Sequence, residues 1–177
     1  MFFILPTILA SVVFPLTAGG QREKVNSLLT MLSRTILWLY AAVCVVLLLT
    51  GKWLFPFIFG NDFTEMYQPF ALLMPGILSL SGLFTLTAYY AGKNKMKVNI
   101  TGSLLALVVI IIGDSIFIPV YGINAAALIS SLGYIIYQLY FLIVFNKEYQ
   151  TRIIEFFIFK MVEKKNMKKI LWSYFKN

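Results

Sequence analysis

The chain of 177 residues is 60% hydrophobic and 16% aromatic, with 12% charged residues and a mean hydropathy of +0.84. Water-soluble globular domains do not have that balance, so the sequence reads as an integral membrane protein with room for a handful of spans of about 20 residues each. Histidine is absent, which removes the commonest general base and metal ligand, and the single cysteine, Cys44, excludes an intrachain disulfide.

In chain order, hydropathy marks five apolar segments: 1–16, 36–57, 67–91, 98–117 and 125–145. Each of the last four can cross roughly 30 Å of hydrocarbon as a helix, the form a lone span must take to satisfy its backbone. The first, within MFFILPTILASVVFPLTAGG, is marginal in length. No basic residue precedes it, which argues against a secretory signal peptide, and it is read as a helix shortened at its start. Residues 21–34 place Val25, Leu28, Leu29 and Leu32 on one helical face. That face suits either a short helix lying along the membrane surface or an N-terminal extension of the next span.

The net charge of +8 would suggest nucleic acid in a soluble protein, but here the charges follow the membrane. If the helices alternate in direction, Arg22, Lys24, Arg34, Lys93, Lys95, Lys97 and every basic residue from Lys147 onward fall on one side, and only Lys52 falls on the other. Because positive charge is retained in the cytoplasm, this partition predicts a cytoplasmic C-terminus, with FGNDFTE and IPVYG outside. Trp53, Tyr67 and Tyr121 then mark the outer interface, and Trp38 and Tyr90 the inner one. Residues 147–177 alternate Ile153, Phe156, Phe157 and Met161 with Arg152, Lys160, Lys164 and Lys168, the pattern of a basic amphipathic tail on anionic lipid.

Few residues inside the spans could carry chemistry. Pro75 and Gly76 interrupt the third segment, where a proline frees a backbone carbonyl and permits a kink of the kind that lines transport paths. Asp114 lies within or just below the outer end of its span, three residues before Phe117; it is either an interfacial carboxylate near water or, as an intramembrane ionisable residue, a functional candidate. Gln68, Thr85, Thr87, Asn99 and Gln138 can line a hydrophilic cavity or bond across helices. Ala126, Ser130 and Gly133, with Ala127 and Ser131 beside them, give the last span a small-residue face, and Gly102 with Ala106 does the same on the preceding one. Lys52 snorkels to the surface beside Trp53. Between the last two spans, Pro119 is expected to end one helix, Gly122 to reverse the chain, and Asn124 to cap the helix that Ala125 begins. Without a phosphate-cradling glycine loop, a metal-ligand cluster or a nucleophile paired with a base, no enzymatic activity, metal or cofactor is expected.

Taken in order, Val13-Phe14-Pro15, FGNDF, LLMPGILSLSG, YYAGKNK and IPVYGINAAAL resemble the C-terminal half of polysaccharide exporters. These are the oligosaccharide flippases of the multidrug/oligosaccharidyl-lipid/polysaccharide exporter superfamily. The resemblance runs from about residue 13 to 146, with one departure: Ala125 stands where the family often has glycine. It implies an all-α, polytopic bundle of about five spans forming part of one lobe of a two-lobe transporter. It also implies a bacterial cytoplasmic membrane and an isoprenoid-linked oligosaccharide as substrate, flipped by rocking of the lobes about a polar, usually cationic cavity. No cationic cavity residue is identifiable in the apolar segments. Because rocking needs two lobes, the expectation is a truncated chain that needs a missing N-terminal half. The alternatives are a drug/cation antiporter of the same superfamily, a membrane-integral glycan polymerase, and a nonfunctional fragment.

Overall fold

The computed structural model describes residues 22–149; the first apolar segment, and the tail from residue 150 on, lie outside them. The described chain is helical almost throughout. Helix α1 spans Arg22–Phe59, a 3-10 helix spans Asn61–Met66, and α2 (Tyr67–Gly92), α3 (Met96–Tyr121) and α4 (Ile123–Tyr149) follow. Four helices are long and apolar enough to cross a membrane. The all-α, multi-pass bundle expected from hydropathy is therefore present.

Two of the sequence expectations resolve differently in detail. Residues 22–34 continue α1 without a break, giving one helix of 38 residues, so the surface-helix alternative is set aside for that stretch. Pro119 does not end α3: the helix bond from the Gly122 N–H to the Ile118 carbonyl, at 2.8 Å, spans it and carries the helix to Tyr121. A proline this near the C-terminus forfeits a single helix bond, which the last turn tolerates. The reversal itself falls on Gly122, at φ 60° and ψ −142°, a conformation open to glycine and costly for residues with a Cβ. Helix α4 then starts at Ile123. The N–H groups of Ala125 and Ala126 both bond the Gly122 carbonyl, so Gly122 occupies the capping position and the Asn124 side chain turns elsewhere.

Packing follows the small residues. Helix α4 is central, with α2 against one side and α3 against the other, and α1 packs on α2. Helices α2 and α4 run in the same direction, since Ser131 meets Leu72 and Gly76, Gln138 meets Gly82, and Glu148 meets Lys93 and Lys95. Lipid supplies no hydrophobic drive between helices, so close backbone approach and interhelical hydrogen bonds must hold them. Between α3 and α4 the expected small positions, Gly102 and Ala106, are buried; a Cβ on Gly102 would come within 2.4 Å of the Tyr137 ring. Of the small positions expected on α4, Ala127, Ser131 and Gly133 are buried, while Ala126 and Ser130 are half-buried beside them. At one end Leu83, Leu86, Tyr89, Tyr90, Phe141 and Phe145 form an aromatic-rich core.

The outward surface is the reverse of a soluble protein's. Leu49, Trp53, Phe57 and Val120 are all at least 71% exposed, and α3 turns Ile100, Leu104, Val108, Ile111 and Ile116 outward. Large apolar groups turned outward suit a lipid solvent.

Candidate functional site

Helices α1, α2 and α4 each bury polar side chains. Near the turn that joins α1 to α2, Tyr67 donates its hydroxyl to the Leu48 carbonyl at 2.8 Å, and Phe55 meets Phe70 at a ring separation of 5.0 Å. Farther from that turn, α1 buries Ser33 and Arg34, and α2 buries Ser81 and Thr85. Gln138 of α4 stands against the Ser81–Thr85 stretch, because its Nε2 lies 2.8 Å from where a Gly82 Cβ would be.

All five side chains are buried: Ser33 at 3%, Arg34 at 2%, Ser81 and Thr85 at 1% and Gln138 at 8% exposure. Ser81 spends its hydroxyl on the Leu78 carbonyl. The Ser33 and Thr85 hydroxyls and the Gln138 Oε1 have no hydrogen-bond partner, an uncommon condition for buried polar atoms. A guanidinium with hydroxyls and an amide in a low-dielectric interior can hold an anion or sugar hydroxyls. It offers no nucleophile paired with a base. Thr85 lies roughly 12 Å along α2 from Lys93, well below the basic edge of the bundle.

Arg34 was not singled out because hydropathy begins its apolar segment at residue 36, leaving the arginine among the edge charges. The span in fact runs Ser33–Phe59 and includes it. The usable signal was the unbroken apolar spacing of Met31, Leu32, Ile36 and Leu37 around a lone charge.

The residues singled out from sequence are not gathered at one site. Gln68 is exposed at the start of α2, where its Oε1 accepts from the Asn124 Nδ2 at 3.3 Å. Asn99 lies at the opposite end: its Nδ2 donates to the Thr87 carbonyl at 3.0 Å, and its own carbonyl accepts from the Tyr137 hydroxyl at 3.3 Å, tying together α2, α3 and α4. Asp114 is half-buried on α3, with Oδ1 shut off from solvent and without a hydrogen-bond partner. Pro75 is exposed and Gly76 buried against α4. Next to the carbonyl that Pro75 frees, the Leu72 carbonyl accepts the Ser131 hydroxyl at 2.7 Å. Cys44 is buried on α1.

The lysine cluster also has a structural partner. Lys93 and Lys95 both reach Glu148 Oε1, at 3.2 and 2.9 Å, and Lys93 lies 4.8 Å from the Tyr89 ring centroid. Among the described residues, no group of His, Cys, Asp and Glu is arranged to hold a metal ion. Compared with protein-family models, curated proteins and solved structures, the chain gives no match in any of the three.

Proposed function

We propose that this chain is part of a transporter that flips a lipid-linked oligosaccharide across a bacterial cytoplasmic membrane for cell-surface polysaccharide synthesis. The observation that carries this reading is the burial of Ser33, Arg34, Thr85 and Gln138 in an otherwise apolar, multi-pass bundle. Intramembrane polar and ionisable groups are costly and mark substrate paths by default. A buried guanidinium, and buried hydroxyls without partners, suit a pyrophosphate and its sugar, while the isoprenoid remains in lipid. The ordered motifs that resemble the polysaccharide exporters support the same reading.

In this proposal the Lys93 end, with its basic residues and the tail, is cytoplasmic, and the Gly122 end faces outward. The bundle forms one side of the cavity, opposite a second lobe supplied by a separate N-terminal half or another copy. The test is restoration of surface glycan in a flippase-deficient strain, with the chain expressed alone and together with an N-terminal lobe. Rescue that is lost in Arg34→Ala, at an unchanged membrane level, is expected. Failure of both arrangements, with the protein present in the membrane, overturns the reading.

Asp114 favours a second reading, cation-coupled export, because one of its carboxylate oxygens is buried without a hydrogen-bond partner. Asp114→Asn would then abolish ion-driven efflux while leaving glycan export unchanged.

A further inference from the structure

At the Gly122 end, two unlike cavities meet. A polar basin of about 710 Å³ is lined by Lys52, Thr64, Glu65, Gln68 and Asn124, among others. An apolar groove of about 420 Å³ runs along α4 between Leu72 of α2 and Phe117 of α3, over Leu128 and Leu132. Asn124 stands in the wall of both, so the basin and the groove adjoin. The groove exists because α2 and α3 both pack on α4 but touch each other little. Each volume lies within the range of built small-molecule sites.

The charges of the basin narrow the occupant. Lys52 and Glu65 line the same space with opposite signs, yet neither is in an ion pair; Lys52 lies 5.6 Å from the Tyr67 ring centroid. Trp53 and Tyr67 beside them are interfacial residue types, which puts the basin at headgroup level and the groove in hydrocarbon. A purely anionic headgroup would meet Lys52 but be repelled by Glu65. A zwitterion satisfies both. A pyrophosphate-linked carrier, doubly negative and without an ammonium, fits this end poorly.

We propose that the basin and groove form a binding site for a zwitterionic aminophospholipid such as phosphatidylethanolamine, its phosphate at Lys52, its ammonium at Glu65 and one acyl chain along Leu128 and Leu132. The proposal does not depend on the transport reading, since glycan export can fail while the lipid is retained.

The test is native mass spectrometry of the purified chain exchanged against phosphatidylethanolamine, phosphatidylcholine or phosphatidylglycerol. The wild type should retain phosphatidylethanolamine about five-fold better than phosphatidylglycerol, the scale of one partly exposed charge contact. Phosphatidylcholine, which cannot donate a hydrogen bond to Glu65, should fall between them. Glu65→Gln should bring the three lipids level, Lys52→Ala should weaken all of them, and Leu128→Trp or Leu132→Trp should displace all of them by filling the groove. Circular dichroism checks that each variant stays helical, and the exposed Glu65→Gln carries the test if the tryptophan variants do not fold. Equal retention of the three lipids by the wild type overturns the proposal, as does selectivity unchanged in Glu65→Gln. Disulfide-linked dimers of a Leu128→Cys, Cys44→Ala chain would overturn it in favour of a second copy in the groove.

Discussion

A Cβ placed on Gly76 of α2 would lie 2.7 Å from the Cα of Ser131 on α4, a distance real Cβ atoms do not adopt. Backbone stands on both sides, so neither partner can swing away. Gly76→Ala should therefore push α2 and α4 apart and break the Ser131 hydroxyl bond to the Leu72 carbonyl. The expected loss is about 1–3 kcal/mol, the usual range for overpacking. Thermal unfolding in detergent checks it, and a stability within error of wild type would show that the helices are not locked at this point.

Arg34 is 2% exposed inside α1. In the proposed transporter, removing its charge should affect export more than accumulation. Arg34→Gln and Arg34→Lys are both expected to lower surface glycan at constant membrane level, with lysine the milder because it keeps the charge and loses only the planar fork. If lysine and glutamine variants export as well as wild type, the buried guanidinium is structural.

Glu148 joins the end of α4 to the turn after α2 through Lys93 and Lys95. The groups are partly exposed, with Glu148 at 22% and Lys95 at 48%, so solvent screens the pairing. Glu148→Gln should cost at most about 1 kcal/mol, and the difference from wild type should shrink as salt is raised. Unfolding at low and high ionic strength would reveal this, and a salt-independent difference would assign the effect to packing.

Gly122 holds φ 60° and ψ −142° between α3 and α4. An L side chain there is strained, with a cost on the order of 1–3 kcal/mol. Gly122→Ala should lower stability although no atom within 4 Å would meet the new methyl, so backbone strain and not crowding would be the cause. A neutral effect would mean that the turn relaxes to another conformation.

Sidedness can be read chemically after Cys44→Ala removes the single native thiol. In the proposed orientation, Asp62→Cys reacts with a membrane-impermeant maleimide in intact cells, whereas Lys97→Cys reacts only after permeabilisation. The opposite pattern inverts the topology.

Much of the bundle was legible along the chain. Segments 36–57, 67–91, 98–117 and 125–145 each fall within an observed helix, because in hydrocarbon an unbroken apolar run has no alternative to the helix. The boundaries were less legible. Sequence left loops around Lys95 and Gly122 that the structure reduces to Lys93–Lys95 and Gly122, since polar residues at helix ends continue a helix as readily as they leave it. Asn124 has the chemistry of a cap, but the Gly122 carbonyl already takes the first helix bonds, so its amide serves Gln68 instead.

The candidate site divides in the same way. Composition and charge order by themselves determined a membrane solvent and the number of apolar helices among residues 36–145, because both depend on properties summed along the chain. Which polar residues share a level was decided only by helix pairing. Gln68 and Asn99 looked alike in sequence and stand at opposite ends, while Arg34, an edge charge by hydropathy, is buried. Burial of a polar side chain depends on what a neighbouring helix places over it, and no local property of the chain encodes that.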